Sequence, residues 1–176
     1  MTDAELARRI REHAYLEGDF VLRSGKRSRY YLDKYRFETR PELLAALGER
    51  LAARAREAAP DAVRIAGPEL GAIALAASAS LASGLPFLIV RKAAKGYGTD
   101  RRVEGAYEEG DRVCLVEDVV TSGGAAAAAV DALRAAGLAC RVAICVVDRE
   151  EGGADALARK AVRLHALFRA REVLAA

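Results

Sequence analysis

A chain of 176 residues is the length of one domain and is long enough to bury a sizeable core. With 52% hydrophobic and 30% charged residues it is globular rather than disordered. The net charge of +3 is too small to argue for nucleic acid, and no apolar run approaches the ~20 residues of a membrane span.

Thr2 and Glu5 have capping-box spacing, and Leu6, Ile10 and Ala14 share one helical face, which predicts a first helix over 3–16. His13 lies on it and is read as structural or solvated. Two short β-rich pieces within Phe20 to Asp33 flank a Ser24-Gly25-Lys26 turn and predict a hairpin. Its composition alone favours a solvated basic turn over a ligand-binding lid. Thr39 and Glu42 repeat the capping-box spacing around Pro41, and Leu43, Leu44, Leu47 and Leu51 form an apolar stripe. A helix over about 40–58 follows, ending before Pro60. Ala62 to Ala66 reads as a strand, and Gly67-Pro68-Glu69-Leu70-Gly71 as a glycine-bounded turn into a helix over about 71–83 that stops at Gly84. Strand, glycine turn and helix are the layout of an anion loop, a weak signal by itself. Phe87 to Val90 reads as the next strand, placed centrally in the sheet.

The segment from Arg91 to Gly105 then carries five cations and three glycines with little apolar periodicity. It leaves a strand at its C-terminal end, where ligands bind in parallel α/β sheets, and its length marks it as functional. The expectation is a mobile lid that closes cations over a polyphosphate. A doubly buried strand over 112–117 ends in two adjacent acids, Glu117 and Asp118. Thr121-Ser122-Gly123-Gly124 then opens an alanine-rich helix that runs to Gly137. Free backbone N–H groups and the helix dipole make that turn an anion site, most naturally for phosphate. Acids beside a phosphate cradle suit the vicinal hydroxyls of a sugar or a bound Mg²⁺. Arg141 to Val147 is a further strand, ending in the charged run Asp148 to Gly153. A short helix over 154–160, a last strand over 162–167 containing a structural His165, and a helical tail complete the chain.

The strand–helix alternation predicts an α/β fold, a parallel sheet with helices on both faces, preceded by a small N-terminal hairpin. The loops at 67–71, 91–105, 118–124 and 148–153 would all leave one edge of that sheet. Cys114, Cys140 and Cys145 fall in predicted buried strands with no CxxC or His-rich spacing. They are expected to be free core thiols, which with the polar start Met1 to Glu5 suggests a cytoplasmic setting.

Val116-Glu117-Asp118-Val119-Val120-Thr121-Ser122-Gly123-Gly124 resembles the phosphoribosyl-pyrophosphate (PRPP) motif of type I phosphoribosyltransferases. Phe20 to Tyr31, Arg91-Lys92-x-x-Lys95-x-Tyr97-Gly98, Gly67 to Gly71 and Asp148-Arg149-x-Glu151-Gly152-Gly153 occur in the same order as in the orotate branch of that family. The resemblance implies transfer of phosphoribosyl from PRPP to orotate, giving orotidine 5′-monophosphate and pyrophosphate. It implies Mg²⁺ held mainly through PRPP, no direct protein ligand to the metal, and a homodimer with lid residues acting across the interface. The nearly balanced charge and the lack of a long apolar run lead to the expectation of no nucleic-acid or membrane partner. The resemblance divides the chain into a hood (about 1–36), a core (about 40–176) and the lid.

The same resemblance implies the residue roles. Glu117 and Asp118 hold the ribose hydroxyls and stabilise an oxocarbenium-like transition state, with Lys95 as the catalytic lid cation. Thr121, Ser122, Gly123, Gly124 and Ala125 wrap the 5′-phosphate with backbone amides, and Val119 and Val120 before them also count as substrate-binding. Leu70 and Gly71 face the pyrophosphate through their backbone, and Arg91, Lys92, Lys95 and Tyr97 meet it from the lid. Arg149 and the Thr121 region fix orotate, Tyr31 and Leu32 lie against its ring, and Arg23 also reaches substrate. Position 97 is Tyr where many members have His, Arg23 stands for a frequent Lys, and the first acid is Glu117 rather than Asp. Two other readings share the motif: a phosphoribosyltransferase for another base, and a PRPP-sensing regulator without activity.

Overall fold

The computed structural model describes residues 1–21, 25, 27–93 and 101–176. Helix α1 (Asp3–Ala14) starts at the expected capping box: Glu5 N–H donates to Thr2 Oγ1, and the Glu5 carboxylate accepts from the Thr2 N–H. It is shorter than expected. Strand β1 (Tyr15–Val21) already begins at Tyr15, whose ring stacks on Tyr30 of β2 (Arg27–Leu32), with centroids 5.8 Å apart. The two strands form an antiparallel hairpin separate from the main sheet.

A four-residue helix, α2 (Tyr35–Glu38), follows that the sequence pattern did not announce. It overrides the expected cap at Thr39, whose hydroxyl donates back to the Tyr35 carbonyl at 2.6 Å. Arg40 becomes the cap residue of α3 (Pro41–Ala58), with Pro41 in the first turn. The Glu42 carboxylate accepts instead from Arg9 and Arg40, at 3.0 and 3.1 Å.

The remaining elements are β3 (Arg64–Pro68), α4 (Ala72–Ser83), β4 (Phe87–Val90), β5 (Val103–Glu104), β6 (Arg112–Val120), α5 (Gly124–Ala135), β7 (Ala139–Asp148), α6 (Gly153–Ala158), β8 (Arg163–Arg169) and α7 (Ala170–Ala175). The second sheet has six strands in the order β5-β4-β3-β6-β7-β8, parallel except for the two-residue β5. The middle strands are therefore β3 and β6. The expectation that Phe87–Val90 is central is corrected: its outer neighbour is only β5, which pairs Val103 with Val90 and Glu104 with Ile89.

Alternation along β6 explains the two-faced burial. Cys114 and Val116 join a core with Leu6, Ile10, Phe37, Leu47 and Leu75. Val113 and Leu115 point to the other face, with Ala129, Val130 and Leu133 of α5. Helices thus cover both sides of the sheet. The small residues of α3 and α4 let these helices touch closely: a Cβ on Gly48 would collide with Ser78, its backbone carbonyl carbon only 2.8 Å away. Cys114, Cys140 and Cys145 are buried free thiols. His165 lies in β8, opposite Ile144 of β7. Because β3, β4, β6 and β7 run parallel, the four loops singled out from the sequence do leave one edge of the sheet.

Candidate active site

Strand β6 runs three residues further than expected, pairing Glu117 with Cys145, Val119 with Val147 and Val120 with Asp148. The two acids therefore sit within the sheet rather than on a loop, and both are buried: Glu117 is 6% and Asp118 3% exposed. Burial, together with the neighbouring Asp118, pushes the Glu117 carboxyl up to about 8. Its Oε1 has no hydrogen-bond partner among the described residues.

Beyond β6, Gly123 takes a left-handed φ of +78°, and its carbonyl accepts the first helical bond of α5 from Ala127 at 2.8 Å. A side chain at Gly123 would strike the Gly153 carbonyl oxygen at 2.9 Å, so glycine is required for both conformation and space. The N-terminal amides of α5 have no carbonyl within their own helix to bond. They border a cavity of about 410 Å³ lined by Tyr31, Glu117, Val119, Val120, Thr121, Ser122, Gly123, Gly124, Ala125, Ala126, Arg149 and Glu151.

Arg149 reaches this cavity because its N–H donates to the Val120 carbonyl at 2.9 Å, which holds the ends of β6 and β7 side by side. Its guanidinium stacks 5.4 Å from the Tyr30 ring centroid, lies 3.4 Å from the Tyr30 hydroxyl, and pairs with Glu151 at 2.9 Å. Tyr31 is exposed and packs its ring against Phe20, 5.6 Å between centroids. Leu32 differs: only 6% exposed, it belongs to the hydrophobic core and is absent from the cavity lining. The alternation of β2 explains this, since adjacent residues point to opposite faces.

A second cleft, of about 190 Å³, shares Gly124 and Ala125 with the first and is lined by Pro68, Glu69, Val90, Arg91, Lys92 and Arg102 among others. Lys92 N–H donates to the Glu69 carboxylate at 2.6 Å, and Arg91 N–H to the Arg102 carbonyl at 2.7 Å. Leu70 is exposed and Gly71 buried, the Glu69–Leu70 peptide being cis. Arg23, Lys95 and Tyr97 lie outside the described residues.

With this geometry in place, comparison with known proteins is decisive. Residues 37–164 match the phosphoribosyl transferase domain. An orotate phosphoribosyltransferase of Methanocella arvoryzae is 46% identical over 98% of this chain and 97% of its own. The chain belongs to the orotate phosphoribosyltransferase family. Among solved structures, the orotate phosphoribosyltransferase of Aeropyrum pernix superposes with a TM-score of 0.85 at 33% identity, over 97% of this chain and 96% of that one. The Mycobacterium tuberculosis enzyme, crystallised with PRPP, superposes with a TM-score of 0.80 at 29% identity, over 97% and 98%.

Several residues at this candidate site escaped the sequence reading. Tyr30 and Glu151 both hold Arg149. Arg102 was visible only as one cation in a charged run. Lys34 bonds Asp118 across 84 positions, and Glu38, just 2% exposed, is pushed up to about 8 by burial and by Asp118. The signal for these two was faint: a lysine and a glutamate four apart on either side of a short aromatic segment.

Proposed function

We propose that this chain transfers the 5-phosphoribosyl group of PRPP to orotate, giving orotidine 5′-monophosphate and pyrophosphate, a step of pyrimidine nucleotide synthesis. The observation that carries the reading is one cavity in which Tyr31 and Arg149 face the N-terminal turn of α5 beside Glu117. A phosphate fits the helix N-terminus, a planar anion fits between an aromatic ring and a guanidinium fork, and a ribose spans the distance over the acids.

In this reading Thr121 to Ala125 hold the 5′-phosphate, and Glu117 and Asp118 accept from the ribose hydroxyls. Arg149 takes the orotate carboxylate, with Tyr31 against the ring. As the bond from C1 to pyrophosphate breaks, positive charge builds on the ribose, and the acids beside it offset that charge. The departing pyrophosphate takes the bonding electron pair. Its growing charge falls to the backbone of Leu70 and Gly71 and to Arg91, Lys92 and Lys95, with Tyr97 and Arg23 as further contacts. A ring nitrogen of orotate then bonds to C1, and no side-chain nucleophile is required. A lid over 91–105 would exclude water, which competes for the same carbon.

Magnesium suits this chemistry as an ion carried on PRPP, because a hard divalent cation binds phosphate oxygens well. When bound it supplies charge neutralisation for pyrophosphate. We further infer a homodimer in which lid cations serve the neighbouring subunit, and a cytoplasmic setting fitted to the three free thiols.

The test is a spectrophotometric assay with PRPP and, in turn, orotate, adenine, xanthine and uracil. Turnover of orotate alone is expected, and turnover of another base without orotate would overturn the assignment. A Lys95→Ala variant is expected to keep its melting temperature and lose most of its turnover. PRPP binding without any turnover would favour a sensor instead.

A further inference from the structure

Three buried carboxylates, Glu38, Glu117 and Asp118, meet beneath the PRPP motif, at 2%, 6% and 3% exposure. Two of them come from β6 and the third from α2. The Oε1 atoms of Glu38 and Glu117 have no hydrogen-bond partner among the described residues. PRPP is a polyanion, and the carboxylate of Asp118, left unpaired at this spot, would repel it unless a cation stood close.

That cation is Lys34. Its Nζ donates to Asp118 Oδ2, while Asp118 Oδ1 accepts from the Val119 N–H, so both carboxylate oxygens are held. Lys34 also acts electrostatically on Glu38 and on Glu117. Asp33 faces Glu38 from the same turn, Tyr35 faces Lys34, and Cys145 of β7 faces both β6 acids. The lysine touches a third element as well. A Cβ built on Gly71 would lie 2.8 Å from Lys34 Nζ and would collide with Asp118 Oδ2. The ammonium therefore stands where the hood turn, the acid pair and the Leu70–Gly71 loop converge.

We propose that Lys34 is a positioning residue of the PRPP site: lodged between Asp118 and the Gly71 loop, it aims the acid pair and neutralises the Asp118 carboxylate against an incoming polyanion. The proposal rests on the reading of Glu117 and Asp118 as the ribose-hydroxyl pair. It makes seating of the hood a condition for a finished PRPP site. The hood then contributes twice, through Tyr31 to the base and through Lys34 to the sugar.

The experiment compares the wild-type protein with Lys34→Met, Lys34→Gln and Lys34→Arg. PRPP affinity is measured by calorimetry and, with kcat, both KM values by steady-state kinetics. Loss of one cation from this group is expected to raise the PRPP KM about tenfold or more in the Met and Gln variants. The orotate KM should stay within about twofold, and Lys34→Arg should restore most of the PRPP affinity, because it keeps the charge. Should the Met variant fail to fold, the Gln variant decides. Unchanged or tighter PRPP binding in the neutral variants would overturn the proposal. So would an equal loss for both substrates that Arg fails to rescue, accompanied by a lower melting temperature: that pattern belongs to a purely structural latch. Wild-type protein that binds no PRPP would overturn the functional reading itself, and the role of Lys34 with it.

Discussion

At the scale of single residues, charge and burial are set against each other. Glu117 and Glu38 both hold protons up to about pH 8, because burial disfavours their charged forms and nearby acids add to that. In the unfolded chain a glutamate titrates near 4.3. Between those values the folded state binds protons that the unfolded state has released, so stability falls as pH rises through the window. The melting temperature of the free protein is therefore expected to drop from about pH 4.5 to about pH 8 and then level off, with a shallower drop in Glu38→Gln. Calorimetric scans across pH check this. Arg149 differs, being a guanidinium fixed by Tyr30 and Glu151. Arg149→Lys would keep the charge and lose the fork, at about 1.5–3 kcal/mol for a lost charged hydrogen bond. Initial-rate kinetics should show the orotate KM rising about ten- to hundredfold with the PRPP KM little changed.

At the scale of elements, the fold depends on close approaches that only small residues allow. Helices α3 and α4 meet at Gly48 and Ser78, and the Ser78 hydroxyl donates to the Leu44 carbonyl at 2.9 Å. Gly48→Ala would gain helix propensity and still overpack this contact, so a net loss of about 1–3 kcal/mol is expected in urea unfolding. The elements also show what could be read in advance. Helix α1, with its capping box, and the β6–α5 unit are written in local patterns, and both stand almost where those patterns put them. The edge carrying the site follows from their alternation. Four residues of α2 and two of β5 are too short to leave a period. The rank of β4 in the sheet depends on pairing partners far along the chain. Leu32 was misplaced because its neighbour Tyr31 faces the cavity and a strand turns its next residue away. Lys34 and Asp118 form a tie across 84 positions that no local window contains.

At the scale of the whole molecule, the hairpin sheet and the six-stranded sheet meet through the site. The described ties between them there are Lys34 with Asp118 and Tyr30 with Arg149, and both involve residues assigned to substrate. A ligand bridging the same elements should stabilise the fold as a unit. With PRPP at a hundred times its dissociation constant, the gain is about 2.7 kcal/mol. For a domain of this size that amounts to a rise of roughly 5–10 °C in melting temperature. Differential scanning calorimetry with and without PRPP measures it, and inorganic phosphate should give a smaller rise by filling only the α5 N-terminus.

The three free thiols lend the sheet a stopwatch. Alkylating reagents attack the thiolate, and burial pushes the Cys114 and Cys140 thiols up to about 12 and about 11, with Cys145 raised further still. All three lie on β6 and β7, strands at or beside the middle of the sheet. Labelling must therefore wait for those strands to part, and its rate counts how often the sheet opens. Occupancy by PRPP should slow the count, because β6 carries the acids and leads into the phosphate turn. A mass spectrometer following one alkylation per thiol would time, strand by strand, the openings that the bound substrate suppresses.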